Sequence, residues 1–269
     1  MKKILLSLLL VLGLCGSAWA AITYDASSSG ARAYYEADTT LTWSHSVGSG
    51  TDRYLVVAVA TDDESITCST ITYNGDSMTE VLEQGAQGVH PCIYYLANPD
   101  SGTHNIVATV SASSDIAGGA ISLAGVDQGA PDDSDYNSVV RSPSITLTTG
   151  ADNSWIVDVA TSGNQNMTFS AGASQTDRVN HIDSGTSRIA MSHKTIASAG
   201  SGTTSWTGND DYGAVALSVA LAPAEAAATC DTDCTLCETF ATCLASGSSC
   251  FYFDEACSET AGTFKTEIK

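Results

Sequence analysis

Between Arg53 and Thr61 the chain reads Arg-Tyr-Leu-Val-Val-Ala-Val-Ala-Thr, with no polar position in its interior, and a near copy returns as Ser154-Trp155-Ile156-Val157-Asp158-Val159-Ala160-Thr161. A strand that is wet on one side shows a polar residue at every second position, so an unbroken apolar run of this length predicts a strand covered on both faces. Looser alternation predicts two opening strands between Ala21 and Trp43, then strands at Ile66 to Tyr73, Ser77 to Leu82, Cys92 to Leu96, His104 to Val110 and Gly119 to Val126. Asn74-Gly75 predicts a two-residue hairpin, since a type I′ turn needs positive φ at both central residues. No helical apolar period occurs between residues 21 and 222.

The second half repeats the order of the first. Asp152 matches Asp52, and Asp158 falls where the first copy has Ala58. Gly172-x-Ser174-x-Thr176 echoes Gly75-x-Ser77-x-Thr79, Gly202-Thr203 echoes Gly102-Thr103, and Gly213-Ala214-Val215-Ala216-Leu217 echoes Gly119-Ala120-Ile121-Ser122-Leu123. Residues 21–222 are therefore expected to form an all-β, internally duplicated, jelly-roll-like β-sandwich whose halves share a core. Two tandem immunoglobulin-like sandwiches joined near Asp127 to Ser142 are the alternative. The shared core is preferred because both faces of the 53–61 strand need cover.

The ends of the chain change the picture. Lys2 and Lys3 precede the apolar run Ile4 to Leu14, and Ala18-Trp19-Ala20 is a small-x-small cleavage signal, so residues 1–20 read as a signal peptide and the protein as secreted, extracellular or at the cell surface. Cys15 follows the large Leu14, which does not suit a lipid acceptor. No later apolar run is long enough to span a bilayer. Against 10 basic side chains stand 30 acidic ones, a formal charge of −20 that argues against nucleic-acid or anionic-membrane partners. Setting Cys15 aside, the remaining cysteines are even in number, as expected of disulfides in an exported chain. Cys68 and Cys92 are expected to bridge within the sandwich. Past a linker at 223–229, Cys230, Cys234, Cys237, Cys243, Cys250 and Cys257 crowd a C-terminal segment at 230–269, which is expected to be held by disulfides in preference to zinc or a Cys234-x-x-Cys237 redox pair.

The segments Asp52-Arg53-Tyr54-Leu55-Val56-Val57-Ala58-Val59, Ile71-Thr72-Tyr73-Asn74-Gly75-x-x-Met78-Thr79, Ile93-Tyr94-Tyr95-Leu96-x-x-Pro99-x-x-Gly102-Thr103 and Ala120-Ile121-Ser122-Leu123-Ala124-Gly125-Val126-Asp127-Gln128 resemble a β-sandwich module of large secreted and cell-surface bacterial proteins, often found beside adhesin-like repeats. The resemblance covers about residues 40 to 222 and leaves out the cysteine-rich tail. Its motifs are strand and turn residues without a reactive group, so it implies a structural or adhesive extracellular role and carries over no catalytic residue.

Candidate chemistry is sparse. The chain has no Gly-x-Ser-x-Gly elbow and no His-Glu-x-x-His, and its histidines are scattered, so no enzyme is expected. A glycan-active hydrolase would have to use Asp158, the acid interrupting a core strand, together with a second carboxylate. Asp133, Asp135 and Asn137, with Asp132 adjacent, place oxygens at alternate positions as calcium loops do, although Ser138 and Ser144 stand where an EF-hand has its glycine and final Glu. Tyr34, Tyr35, Trp43, Tyr94, Tyr95, Trp155 and Trp206 are the residues from which a sugar-stacking platform would be drawn, which makes a lectin-like module the alternative to a structural, adhesive or self-assembling surface protein. The partners expected are a second copy, through strand addition by Ile22-Thr23-Tyr24, or a cell-surface polysaccharide.

Overall fold

A computed structural model describes residues 20–32, 39–164, 166–181 and 188–225. Residues 1–19 of the expected leader, Tyr34 and Tyr35, most of the linker and the six clustered cysteines from Cys230 to Cys257 lie outside the described residues. Within them the protein is all-β, and no helix is long and apolar enough to cross a membrane.

The first half contributes β1 (Thr23–Arg32), β2 (Thr40–Val47), β3 (Tyr54–Thr61), β4 (Cys68–Tyr73), β5 (Asp76–Ser77), β6 (Thr79–Glu83), β7 (His90–Ala97), β8 (Gly102–Val110) and β9 (Ile116–Ala124). The second contributes β10 (Asp133–Val140), β11 (Ser144–Thr149), β12 (Ser154–Ser162), β13 (Phe169–Ala171), β14 (Thr176–His181), β15 (Arg188–Ile196), β16 (Gly200–Gly208) and β17 (Gly213–Leu221). They pair antiparallel into four sheets: β1-β9-β3-β7-β6, β2-β8-β4-β5, β10-β17-β12-β15-β14 and β11-β16-β13. The two five-stranded sheets have the same order once β10 is set against β1, β12 against β3, β14 against β6, β15 against β7 and β17 against β9.

The unbroken apolar strands explain how these sheets stack. In β3, Leu55, Val57 and Val59 face the sheet containing β4 and β8, where Ile71, Tyr73 and Ile106 meet them. Val56 and Ala58 face the other way, onto Val157, Val159, Leu217 and Val219 of the second half. Ile156 and Ala160 of β12 turn to Ile145, Leu147, Phe169 and Trp206. The result is four layers enclosing three apolar cores. Both faces of β3 are covered, as its composition requires, but by two different cores: each half is a sandwich in its own right, and a third core joins them back to back. Each fully buried Val, Leu or Ile adds about 2 kcal/mol.

Local chemistry fixes the details. Asn74 and Gly75 adopt positive φ (51° and 90°) in the hairpin between β4 and β5, as the dipeptide predicts. Cys68 of β4 and Cys92 of β7 form a disulfide linking the two sheets of the first sandwich. By closing a 24-residue separation it removes about 3 kcal/mol of chain entropy from the unfolded state. Gly30 of β1 and Gly118 of β9 are direct cross-strand partners, and the Trp43 side chain lies over both: a Cβ at Gly118 would come within 2.7 Å of the indole ring.

Register also corrects the alignment of the halves. Tyr54 lies opposite Leu123 and Trp155 lies opposite Leu221, so Trp155 occupies the place of Tyr54. The positive-φ residue entering each central strand is Asp52 in one half and Asn153 in the other, again one step beyond the Asp52/Asp152 match. Since successive strand residues point to opposite faces, this single step moves Asp158 from the Ala58 position, in the core between the halves, to the Val57 position, inside its own sandwich.

Candidate functional site

Asp158 is fully buried at the centre of β12. Directly across from it stand Ser192 of β15 and Ser218 of β17, and the Ser218 hydroxyl lies 3.2 Å from that of Thr204 on β16 in the facing sheet. The Ser192 hydroxyl donates a short hydrogen bond to Asp158 Oδ1. Gln175 reaches in from the turn between β13 and β14, and its Nε2 donates to Asp158 Oδ2 at 3.0 Å and to Ser192 Oγ at 2.9 Å. Its Oε1 accepts the backbone N–H of Ser205 at 2.8 Å. An N–H can only donate, which fixes which end of the carboxamide is oxygen.

The turn is built to aim this amide inward. Ser174 takes φ 64°, Gln175 N–H donates to Gly172 O at 3.2 Å, and Gly172 N–H donates to Ser205 O at 2.8 Å. A Cβ on Gly172 would come within 2.2 Å of Ser205 Oγ and 2.8 Å of Gln175 Oε1, so the carboxamide can sit there only beside a glycine.

The first sandwich carries the same frame filled differently. Val57, flanked by Tyr94 and Ala120, stands where Asp158 is flanked by Ser192 and Ser218. The β8 and β16 registers set Ile106 against Thr204. Thr79 opposite Tyr95 and Thr176 opposite His193 set Met78 against Gln175. Five neighbouring positions, all part of the apolar core of one half, are together polar in the other.

Burial pushes the Asp158 carboxyl from its ordinary 3.8 up to about 7, against the opposing pull of Ser192, Thr204 and Trp206. Between those two values the folded chain holds a proton that the unfolded chain has released, so this group's contribution to stability falls as pH rises through that window. His45 and His193 act in the opposite sense. Burial lowers each from 6.5 to about 4, with Asp25 partly opposing the shift at His45 and Arg178 adding to it at His193, so their contribution rises with pH between those values. Comparing the protein with an Asp158→Asn variant at each pH cancels the histidines. The unfolding free energy of wild type minus variant is expected to fall by about 1.4 kcal/mol per pH unit across the window. A flat difference in denaturant melts would show that the carboxyl does not titrate there.

The other sequence-derived candidates lie elsewhere. Asp133, Asp135 and Asn137 sit on β10, where the strand holds them extended; Asp133 accepts the N–H of Ser134 and of Thr148, Asp132 that of Gly150, and Asp135 that of Tyr136. Among the described residues no three His, Cys, Asp or Glu side chains gather as a metal site would require. Trp43, Tyr94 and Trp206 are buried, while Trp155 stacks on His193 at 4.0 Å and Tyr95 on Tyr54 at 5.3 Å, the same register position in each half. The large exposed apolar side chains among the described residues are Tyr136, Val140 and Tyr212. Among the described residues, the Asp158 carboxylate accepts hydrogen bonds from the side chains of Ser192 and Gln175. Ile22-Thr23-Tyr24 leads into β1, which pairs with β9 of its own sheet from Thr23 to Arg32.

A cavity of about 180 Å³ beside β1 is lined by Tyr24, Asp25 and Arg53, but both charges there are engaged: Asp25 by Gly48 N–H and Ser122, Arg53 by Pro99 O, Gly50 O and Asn98. Sequence reasoning found Asp158 and missed Ser192, Gln175, Ser218 and Thr204. The signal available was the polar interruption of two further apolar strands, at Ser192 and Ser218, together with a glutamine two residues before the next strand's Asp177. Comparison with protein-family models, with curated proteins and with solved structures finds no match.

Proposed function

We propose that this chain is a secreted, non-catalytic scaffold, a structural or adhesive β-sandwich of the cell surface. The observation that carries the reading is where the second sandwich spends its polar chemistry: Asp158, Ser192, Gln175 and Ser205 hydrogen-bond to one another, with Asp158 and Ser192 fully buried. Four antiparallel layers, a cross-sheet disulfide and a strongly acidic composition support it, since they suit a rigid and soluble extracellular body. We read each half as jelly-roll-like, because its chain crosses repeatedly between two facing sheets, with β6–β7 and β14–β15 as hairpins within one sheet, and the matching order of the halves as a duplication.

Immunogold labelling of intact producing cells, together with a polysaccharide hydrolysis panel, tests the scaffold reading. Label on the outer surface and no release of reducing ends is the expected result; label confined to the cytoplasm, or hydrolysis, would overturn it. A carbohydrate-binding role is the second reading, and exposed Tyr136 and Tyr212 are what favours it.

A further inference from the structure

The group of Asp158, Ser192, Gln175 and Ser205 holds every part of an acyl-transfer reaction. A hydroxyl is hydrogen-bonded to a carboxylate, a carboxamide nitrogen lies 2.9 Å from that hydroxyl and 3.0 Å from the same carboxylate, and the carboxamide oxygen rests on a backbone N–H. We propose that Ser192 and Gln175 join as an intramolecular ester, releasing ammonia and tying β15 covalently to the turn before β14.

The step balances without a co-reactant. Asp158 accepts the Ser192 hydroxyl proton as Oγ bonds to Gln175 Cδ. The C=O electron pair moves to Oε1, where the Ser205 N–H stabilises the developing charge as an oxyanion-hole donor would. The tetrahedral centre then collapses, the Cδ–Nε2 bond breaks, and Asp158 returns its proton to the departing nitrogen. Nothing is oxidised or reduced. Presenting Cδ to Oγ takes a concerted adjustment of the Gln175 side-chain torsions that withdraws Nε2 from Ser192 while Oε1 stays on the Ser205 N–H, and the last of these torsions is soft in glutamine.

Three features favour the product. A carboxyl with an affinity for protons near neutrality can both take and give the proton. Holding the groups in contact supplies an effective concentration of about 10⁵ M or more for a reaction that need occur only once per molecule. Asp158 and Ser192 are fully buried in the sandwich that also holds the apolar cluster of Ile145, Ile156, Phe169 and Trp206, which limits the access of water to the Ser192 side of the ester. A simple buried polar network does not account for the grouping as well, since the first sandwich fills the same five positions with Val57, Tyr94, Ala120, Ile106 and Met78, and apolar packing is the more stable choice.

Tryptic peptide mapping of the purified protein decides the matter. Gln175 and Ser192 fall in different tryptic peptides, 142–178 and 189–194. The expected result is one joined peptide lighter than the sum of the two by one ammonia, split by hydroxylamine, and absent from a Ser192→Ala variant. Recovery of both peptides unlinked and at full mass from the wild-type protein would overturn the proposal, whether or not the variant folds. The chemistry does not rest on the scaffold reading, which would survive that failure.

Discussion

Val57→Asp is expected to cost about 4 kcal/mol, the penalty of a buried charge left without compensation. Val57 is fully buried and its cross-strand neighbours are Tyr94 and Ala120, so a carboxylate there meets a phenol already engaged with Glu80 and a methyl group. The reciprocal change is milder. In a chain whose Ser192 and Gln175 are not joined, Asp158→Val leaves both short of an acceptor, but both are neutral, and the expected cost is about 2 kcal/mol. The two substitutions place the same pair of side chains in equivalent frames, so the difference between them measures what the surrounding polar groups contribute. Urea denaturation followed by tryptophan fluorescence reads both. Equal costs would mean that the two interiors tolerate a carboxylate alike and that the polar set around Asp158 does nothing for it.

Gly118→Val is expected to destabilise the protein by about 3 kcal/mol, at the upper end of what overpacking a core costs. Its new side chain would enter space held by the Trp43 ring, which is fixed in turn by its position over Gly30 and by the hydrogen bond from its indole N–H to Ser28 Oγ. An indole so held has no flexible end to swing aside. Adjacent Gly119 faces the opposite way, onto Met191 Sδ, and a thioether can turn, so Gly119→Ala is expected to cost less. Melting temperatures of the two variants give the comparison, and a Gly119→Ala loss equal to that of Gly118→Val would remove the argument from ring rigidity.

The strands were legible because their signal is compositional. Val, Ala, Ile and Tyr in unbroken or alternating runs, and Asn-Gly between two of them, gave the central strands and the β4–β5 hairpin directly, and parity and spacing brought Cys68 and Cys92 together. Residue identity misled where register was at stake. Gly213 resembles Gly119, yet Gly119 lies opposite Ala58 in mid-strand while Gly213 begins β17 opposite Val140. Hydrogen bonding counts positions from paired neighbours, not from matching letters, and a slip of one residue exchanges inside for outside. The polar cluster was largely hidden for a related reason. Gln175 sits in a turn and Ser192 and Ser218 on strands that tolerate serine, and only the folded sheets put them beside Asp158. The stacking of four layers was half visible: two apolar faces on β3 require two covers, but not which segments supply them.

The core between the halves has a consequence for biosynthesis. Val56, Ala58, Ile93 and Ile121 are made early, and the residues that cover them, Val157, Met191, Leu217 and Val219, emerge only with the last strands. Until then the nascent first half shows a greasy sheet to whatever surrounds it, so translation speed, chaperones and crowding with sister chains decide whether that surface meets its own partner or a stranger's.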